Sequence, residues 1–337
     1  MIDLLVAGGG PAGLATAIHA ASAGMEAVVI EQRSTPVDKA CGEGIMPGGV
    51  LALDALGVRV GGRALRGIRY VDGRYCAEAL FRDGSGLGVR RTELHAALAR
   101  RAAELGVRVV TGRVGEVRQS TDTVSAGGLQ ARWLAAADGL HSPLRHSLGL
   151  DLPSRRPRRF GLRRHYRVDP WTDFVEVHWS PFGEAYVTPV GDGLVGVAVL
   201  STVRRGYDAH LAHFPRLLQL LDGPTATPVR GAGPLRQRAR RRTAGRVLLV
   251  GDAAGYTDAL TGEGLALAMA SAEAAVRCLR SGRPQAYEGC WRRLSRRHRL
   301  LTEGLVRLSG HAAAARLVVP AAARLPSAFA AAVHALQ

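Results

Sequence analysis

Lysine is almost missing from this chain of 337 residues: Lys39 is the only one, so a formal charge of +17 is carried by arginine. Cysteine is scarce as well. Cys41, Cys76, Cys278 and Cys290 form no CxxC pair and no even framework, which argues against a disulfide scaffold and a zinc site and suits a reducing cytosol. No metal is expected. Aromatic residues make up only 5%, and none interleaves with the arginine clusters at 155–159, 236–242 and 292–299. Platforms for base stacking are therefore lacking, and no nucleic-acid partner is expected. The clusters read either as a solvated face or as a patch for an acidic partner, such as an acidic carrier protein or an anionic membrane surface. No uncharged apolar run of about eighteen residues precedes the C-terminal region, so no spanning helix is expected. The start, MIDLLVAGGG, carries an acid and no basic residue, unlike a secretory signal. The expected location is cytoplasmic, with peripheral membrane contact as the alternative for the apolar C-terminal stretch.

What the chain has in plenty is glycine, 42 residues, within a 47% apolar composition that suits an α/β protein. The stretch DLLVAGGGPAGLATAIHAASAGMEAVVIEQR reads as strand, turn, helix, strand. Gly8, Gly10 and Gly13 have GxGxxG spacing, for a tight turn, close approach to a pyrophosphate and helix–strand packing respectively. Pro11 and Ala12 open the helix, whose free N–H groups suit an anion. Glu31 closes the second strand, followed by Gln32 and Arg33; an acid there can hold a ribose hydroxyl pair. This unit alone leaves NAD and FAD open. Two further segments bear on the choice. WLAAADGLHSPLR reads as a strand ending in Asp138-Gly139, then Ser142 and Arg145. GRVLLVGDAAGYTDALTGEG reads as a strand, then Gly251-Asp252, then a turn with Gly262, Glu263 and Gly264 that begins an Ala-rich helix.

Together with the R-x-x-L-x-x-x-L helix that starts at Arg91, these three motifs resemble the FAD-dependent monooxygenase superfamily, which includes single-component aromatic hydroxylases and geranylgeranyl reductases. The resemblance covers roughly residues 1 to 330. It implies an α/β fold: a Rossmann-like FAD-binding domain, a second substrate domain built on an antiparallel sheet, and C-terminal helices. The FAD-binding domain is expected to be discontinuous over 1–70, 88–150 and 243–290, the substrate domain to take 71–87 and 151–242, and the helical region to take 291–337. It further implies FAD as cofactor. Gly8, Gly10, Pro11, Ala12 and Gly13 would lie at the pyrophosphate, Glu31, Gln32 and Arg33 at the adenosine ribose, and Arg91 and Asp138 along the phosphates. Gly251 and Asp252 would lie at the ribityl chain, and Gly262, Glu263 and Gly264 at the flavin edge, where a helix N-terminus stabilises the negative charge of the reduced ring. No second GxGxxG is present, so NAD(P)H is expected as a transient reductant.

In this superfamily the loop after the ribose-binding acid runs beside the flavin. DKACGEG, residues 38–44, is that loop here. Cys41 and Gly42 are expected near the ring, with Cys41 and Glu43 facing the substrate cavity; the plainer reading of Cys41 is a buried small apolar residue. On the predicted sheet, His165, His178 and Tyr186 are the further substrate-cavity candidates. Segment 207–221 is expected as one amphipathic helix, and Pro320 and Pro326 as breaks in the C-terminal helix. The leading expectation is an FAD monooxygenase using NAD(P)H and O₂ to hydroxylate a hydrophobic, aromatic or polyketide-like small molecule of secondary metabolism. The alternative is a geranylgeranyl reductase-like enzyme acting on isoprenoid C=C bonds. It is favoured by a cysteine in the opening loop, and opposed by Tyr186 standing where that group carries Trp. Ala259 replaces a proline that the superfamily usually places next to the ring. A third reading is an Arg-rich binding protein on a flavoprotein fold.

Overall fold

In strand Ile2–Ala7 the run Leu4–Ala7 is apolar because it becomes the middle of a sheet, between Leu129–Ala136 and Ala27–Glu31, both parallel to it. A strand covered on both faces needs no polar alternation. Arg108–Thr111 continues the sheet in parallel on one side and Val247–Leu249 on the other. Val117–Gln119 and Val124–Ala126 form an antiparallel meander that returns into Leu129–Ala136. Helices Pro11–Ser22, Arg91–Glu104 and Gly264–Arg280 complete this layer. The computed structural model describes residues 1–154 and 156–335. Arg155, in the first arginine cluster, and the last two residues of the C-terminal region lie outside the described residues.

A second, seven-stranded sheet runs Arg230–Ala232, Phe160–Tyr166, Leu194–Ser201, Gly183–Gly191, Phe174–Ser180, Gly67–Val71, Cys76–Leu80. It is antiparallel except where Gly67–Val71 lies parallel to Phe174–Ser180. Gly67–Val71 crosses the boundary placed at residue 70, and helix Ala286–Ser309 crosses the one placed at 290. One face of the sheet packs Val187, Val197 and Val199 on Tyr207, Leu211, Phe214 and Leu217. The other face carries Tyr70, Trp179 and Tyr186 and is covered by the C-terminal helices through Val319, Phe329 and Val333. Each such buried side chain contributes about 1.5–3 kcal/mol, which holds the cap against the sheet.

Two expected helices differ. Segment 207–221 is two short helices, Tyr207–Leu211 and Pro215–Leu220, because Pro215 cannot continue the first and begins the second. Pro320 does not break its helix, Ala312–Arg324; Val319 and Pro320 are both buried, so packing outweighs the one hydrogen bond that proline removes. The break comes at Leu325, where Pro326–His334 turns away by 102°. Among the described residues no single helix is long and apolar enough to cross a membrane.

Candidate active site

The glycine-rich turn is built by contacts that exclude side chains. A Cβ on Gly13 would sit 1.8 Å from the Gly8 carbonyl oxygen, so the helix lies directly on the turn. A Cβ on Gly10 would meet nothing nearer than an Arg91 guanidinium nitrogen at 4.0 Å, so a cradle lies open above it. Glu31 is buried; its Oε2 accepts from the Gly9 N–H at 2.7 Å and its Oε1 from the Arg33 N–H at 3.0 Å. His95, which sequence reasoning passed over, sits 2.8 Å from the Gly9 carbonyl and fastens the turn to helix Arg91–Glu104. Its only signal is an i+4 position after Arg91 on the buried face.

Asp138 accepts from the Leu144 N–H at 3.0 Å through Oδ2, and Ser142 caps the following helix by accepting from the Arg145 N–H at 2.9 Å. Arg145 is buried and donates to the Ala253 carbonyl at 3.1 Å, to the Leu140 carbonyl at 3.1 Å and to Asp151 at 2.5 Å. The arginine thus ties the Asp138 loop to the Asp252 turn. Burial pushes the carboxyls of Asp138 and Asp252 up from the ordinary range; Arg91, Lys39 and Arg145 pull Asp252 back. Lys39 is lowered by burial and by Arg33 and Arg91, and drawn the other way by Asp252 and Glu31. Cations and carboxylates therefore share one cleft.

The loop 38–44 is stitched onto the second sheet. Asp38 pairs with the fully buried Arg163 and also, at 3.1 Å, with Arg230. Thr188 donates to the Gly42 carbonyl at 2.7 Å. Glu43 and His165 are buried, with Oε2 and Nε2 2.6 Å apart, while Glu43 Oε1 accepts from the Arg91 N–H at 2.8 Å. Glu43 has φ 61°, the one non-glycine in that region among the described residues; backbone this unusual persists only where surroundings hold it. Glu43 and His165, expected at the substrate cavity, are buried and hydrogen-bonded to each other, and with Arg163 3.8 Å from Glu43 they tie the loop to the second sheet. His178 is likewise engaged, 3.2 Å from Glu176. Burial raises Glu176, but the hydrogen bonds of His178, Arg69 and Trp171 outweigh it and hold that carboxyl at about 2. Cys41 accepts from the Glu43 N–H at 3.4 Å, and burial pushes its thiol up. Lys39 reaches toward Gly139, with its Nζ 3.1 Å from where a Cβ would stand.

Tyr186 donates to the Leu260 carbonyl at 3.1 Å, which places the second sheet against the turn before Gly262. Beside it lies a buried cluster missed in the sequence: Arg159 pairs with Glu184 at 2.6 Å and Asp258 at 3.1 Å. Burial drives the Asp258 carboxyl up to about 6 in spite of Arg159. Glu263, at the helix start, is held 2.5 Å from His298.

The cleft fits FAD on its own geometry. Above Gly10 is a cradle that a Cβ would enter, nothing lies within 4 Å of a Cβ on Gly42, and two buried polar atoms on the cleft, Arg91 Nε and Asp138 Oδ1, lack a hydrogen-bond partner among the described residues. Residues 1–219 match the FAD binding domain family, well over half the chain, and the chain belongs to that family. A menaquinone reductase of Mycolicibacterium smegmatis is 29% identical over 339 residues, covering 88% of this chain and 80% of that protein. Digeranylgeranylglycerophospholipid reductase 1 of Methanothermobacter thermautotrophicus is 28% identical over 299 residues, covering 78% and 73%. Among solved structures, the flavin-dependent brominase Bmp2 superposes with a TM-score of 0.81 at 16% identity, over 99% of this chain and 93% of that one; this likeness shows the fold alone. The chain is an FAD-dependent oxidoreductase of the FAD binding domain type.

Proposed function

We propose that this oxidoreductase reduces a carbon–carbon double bond in a polyprenyl chain, with NAD(P)H as transient reductant. The observation that carries the proposal is the apolar seam that starts at the expected flavin edge. Met46 Cε lies 3.3 Å from the Cβ position of Gly262, and Met46, Leu260, Leu65, Tyr186, Trp179 and Phe329 continue as one buried cluster beneath the C-terminal helices. These residues pack on one another, so a long hydrocarbon would enter by parting the C-terminal helices from the sheet. The polar groups expected for a hydroxylase pocket, Glu43, His165 and His178, are engaged in hydrogen bonds to carboxylate or imidazole neighbours. The relatives support the same reading: one is a menaquinone reductase and another a digeranylgeranylglycerophospholipid reductase.

FAD, when bound and reduced, supplies the hydride for such a step. The chain would hold it with Arg91, Asp138, Asp252 and the glycine-rich turn. The N-terminus of helix Gly264–Arg280 would offer its free N–H groups to the ring edge. The reduction also consumes a proton. Asp258, buried next to the Leu260 turn, keeps its carboxyl proton up to about pH 6 and is the acid placed to hold one. The test is NAD(P)H oxidation by the FAD-loaded protein with menaquinone and with a geranylgeranyl lipid, with and without air. Products that gain two hydrogens under anaerobic conditions support the proposal. Products that gain an oxygen atom, only in air, would overturn it in favour of the hydroxylase reading. Failure of every substrate, with FAD bound, would favour the binding-protein reading.

A further inference from the structure

A second cavity, of about 230 Å³, lies between the Asp252 turn and helix Ala286–Ser309. It shares Gly251, Asp252 and Gly264 with the flavin cleft, but none of Gly8, Gly10, Glu31, Lys39, Cys41 or Arg91 lines it. Five arginines, 236, 238, 242, 292 and 299, face it against two carboxylates, Asp252 and Glu303. Arg236 is taken by Glu303 at 2.7 Å, and Arg242 and Arg292 share Glu288, each at 3.0 Å. Among the described residues Arg238 and Arg299 have no ion-pair partner. At the inner wall Trp291 and Ser295 are buried, and neither Trp291 Nε1 nor Ser295 Oγ has a hydrogen-bond partner among the described residues. Arg242 lies flat over the Trp291 ring, 3.7 Å from its centre. Burial lowers the Arg242 guanidinium; Glu288 raises it, and Arg299 and Arg292 lower it by a smaller amount.

Five arginines against two carboxylates leave this cavity with excess positive charge, and Arg238 and Arg299 have no ion-pair partner among the described residues. We propose that this cavity binds the phosphate of a phosphate ester, with Arg238 and Arg299 as charged contacts. The volume falls below the roughly 300–1,000 Å³ of drug-sized ligand sites, which suits a phosphate head whose remainder extends outside. Two sources share this chemistry: the phosphates of a nicotinamide dinucleotide, and the glycerophosphate head of a polyprenyl lipid. The site stands on its own residues and not on the double-bond reduction proposed above.

Calorimetric titration of the FAD-loaded protein with inorganic phosphate at low salt tests it, because the readout is binding and not turnover. The expected result is a single site, weakened about tenfold or more by Arg299→Gln or Arg238→Gln, the scale of one charge-assisted hydrogen bond. Both arginines are exposed at the rim, so the fold should tolerate the change. NADPH and glycerol phosphate are then competed against inorganic phosphate. Competition by the first assigns the site to the reductant, and by the second to a lipid head. No phosphate binding, binding by both variants equal to that of the parent, or competition by neither ester would each overturn the proposal. A protein that binds phosphate in this way but reduces no double bond would leave the site standing and remove only the proposed reaction.

Discussion

Asp258 shows how one side chain can carry opposite consequences for stability and chemistry. Burial raises its carboxyl from 3.8 to about 6 in the folded protein. A raised acid binds protons more readily folded than unfolded, so its contribution to stability is complete below pH 4 and is lost as pH rises through about 6. Asp258→Asn removes that titration while keeping an acceptor for the Leu260 N–H. We therefore expect the variant to gain thermal stability over the parent at pH 7.5 and to match it near pH 4, measured by melting temperature. If Asp258 also holds the proton for reduction, turnover by the parent should fall above pH 6 and the variant should lose that pH dependence together with most of its rate. A variant less stable than the parent at pH 7.5 would show that Arg159 needs both carboxylates. Cys41 gives a second expectation. With its thiol raised by burial, it has little thiolate at neutral pH. Cys41→Ser should keep FAD binding and most turnover, whereas Cys41→Phe should keep FAD but block substrate. A serine variant that is reduced by NAD(P)H yet makes no product would show a chemical part for the thiol.

The glycine-rich turn works as an element because its glycines do different work. Gly13 is needed for packing and Gly10 for access. Gly13→Ala drives a methyl into the Gly8 carbonyl and should cost on the order of 1–3 kcal/mol or more, read as a lower midpoint of urea denaturation of the apoprotein. Gly10 has an ordinary φ of −71° and open space beyond it, so Gly10→Ala should leave the apoprotein midpoint nearly unchanged and weaken FAD retention on dialysis. Equal loss of stability in both would contradict the open cradle. The loop 38–44 is the other element with a divided role. Its short stretch reaches Arg163, His165, Thr188 and Arg230 on the second sheet and the Arg91 amide on the first layer. Movement there would shift both halves of the cleft.

For the whole molecule, the charge of +17 sits largely on exposed arginines, next to leucines that also face water. Leu300, Leu317 and Leu325 are each more than 60% exposed on the C-terminal helices. These features fit an enzyme that docks transiently on an anionic membrane to reach a lipid-borne chain. Co-sedimentation with vesicles containing anionic lipid should succeed at low salt and fall steeply above about 0.1 M, where the screening length is about 10 Å. Neutral vesicles should bind little. Equal binding to both, or none to either, would remove the membrane contact and leave the arginines as a solvated face.

The chain order of motifs was enough to read a dinucleotide-type sheet, because a strand, a glycine turn and a helix are set by neighbours within about thirty residues. The helix from Gly264 was legible for the same reason. Pro215 and Pro320 show the limit: one proline breaks a helix and the other is absorbed, and burial by distant residues decides between them. The pairing of Glu43 with His165 spans 122 residues, and that of Arg159 with Asp258 joins the second sheet to the turn after Asp252. No local pattern specifies such partners, since a polar residue on a strand reads alike whether it meets solvent, substrate or a buried ion. The sequence by itself determined which ligand class the first layer is built for. Only the tertiary structure decided which polar groups remain free to act, because that depends on where charges separated by a hundred residues are brought together and shut away from water.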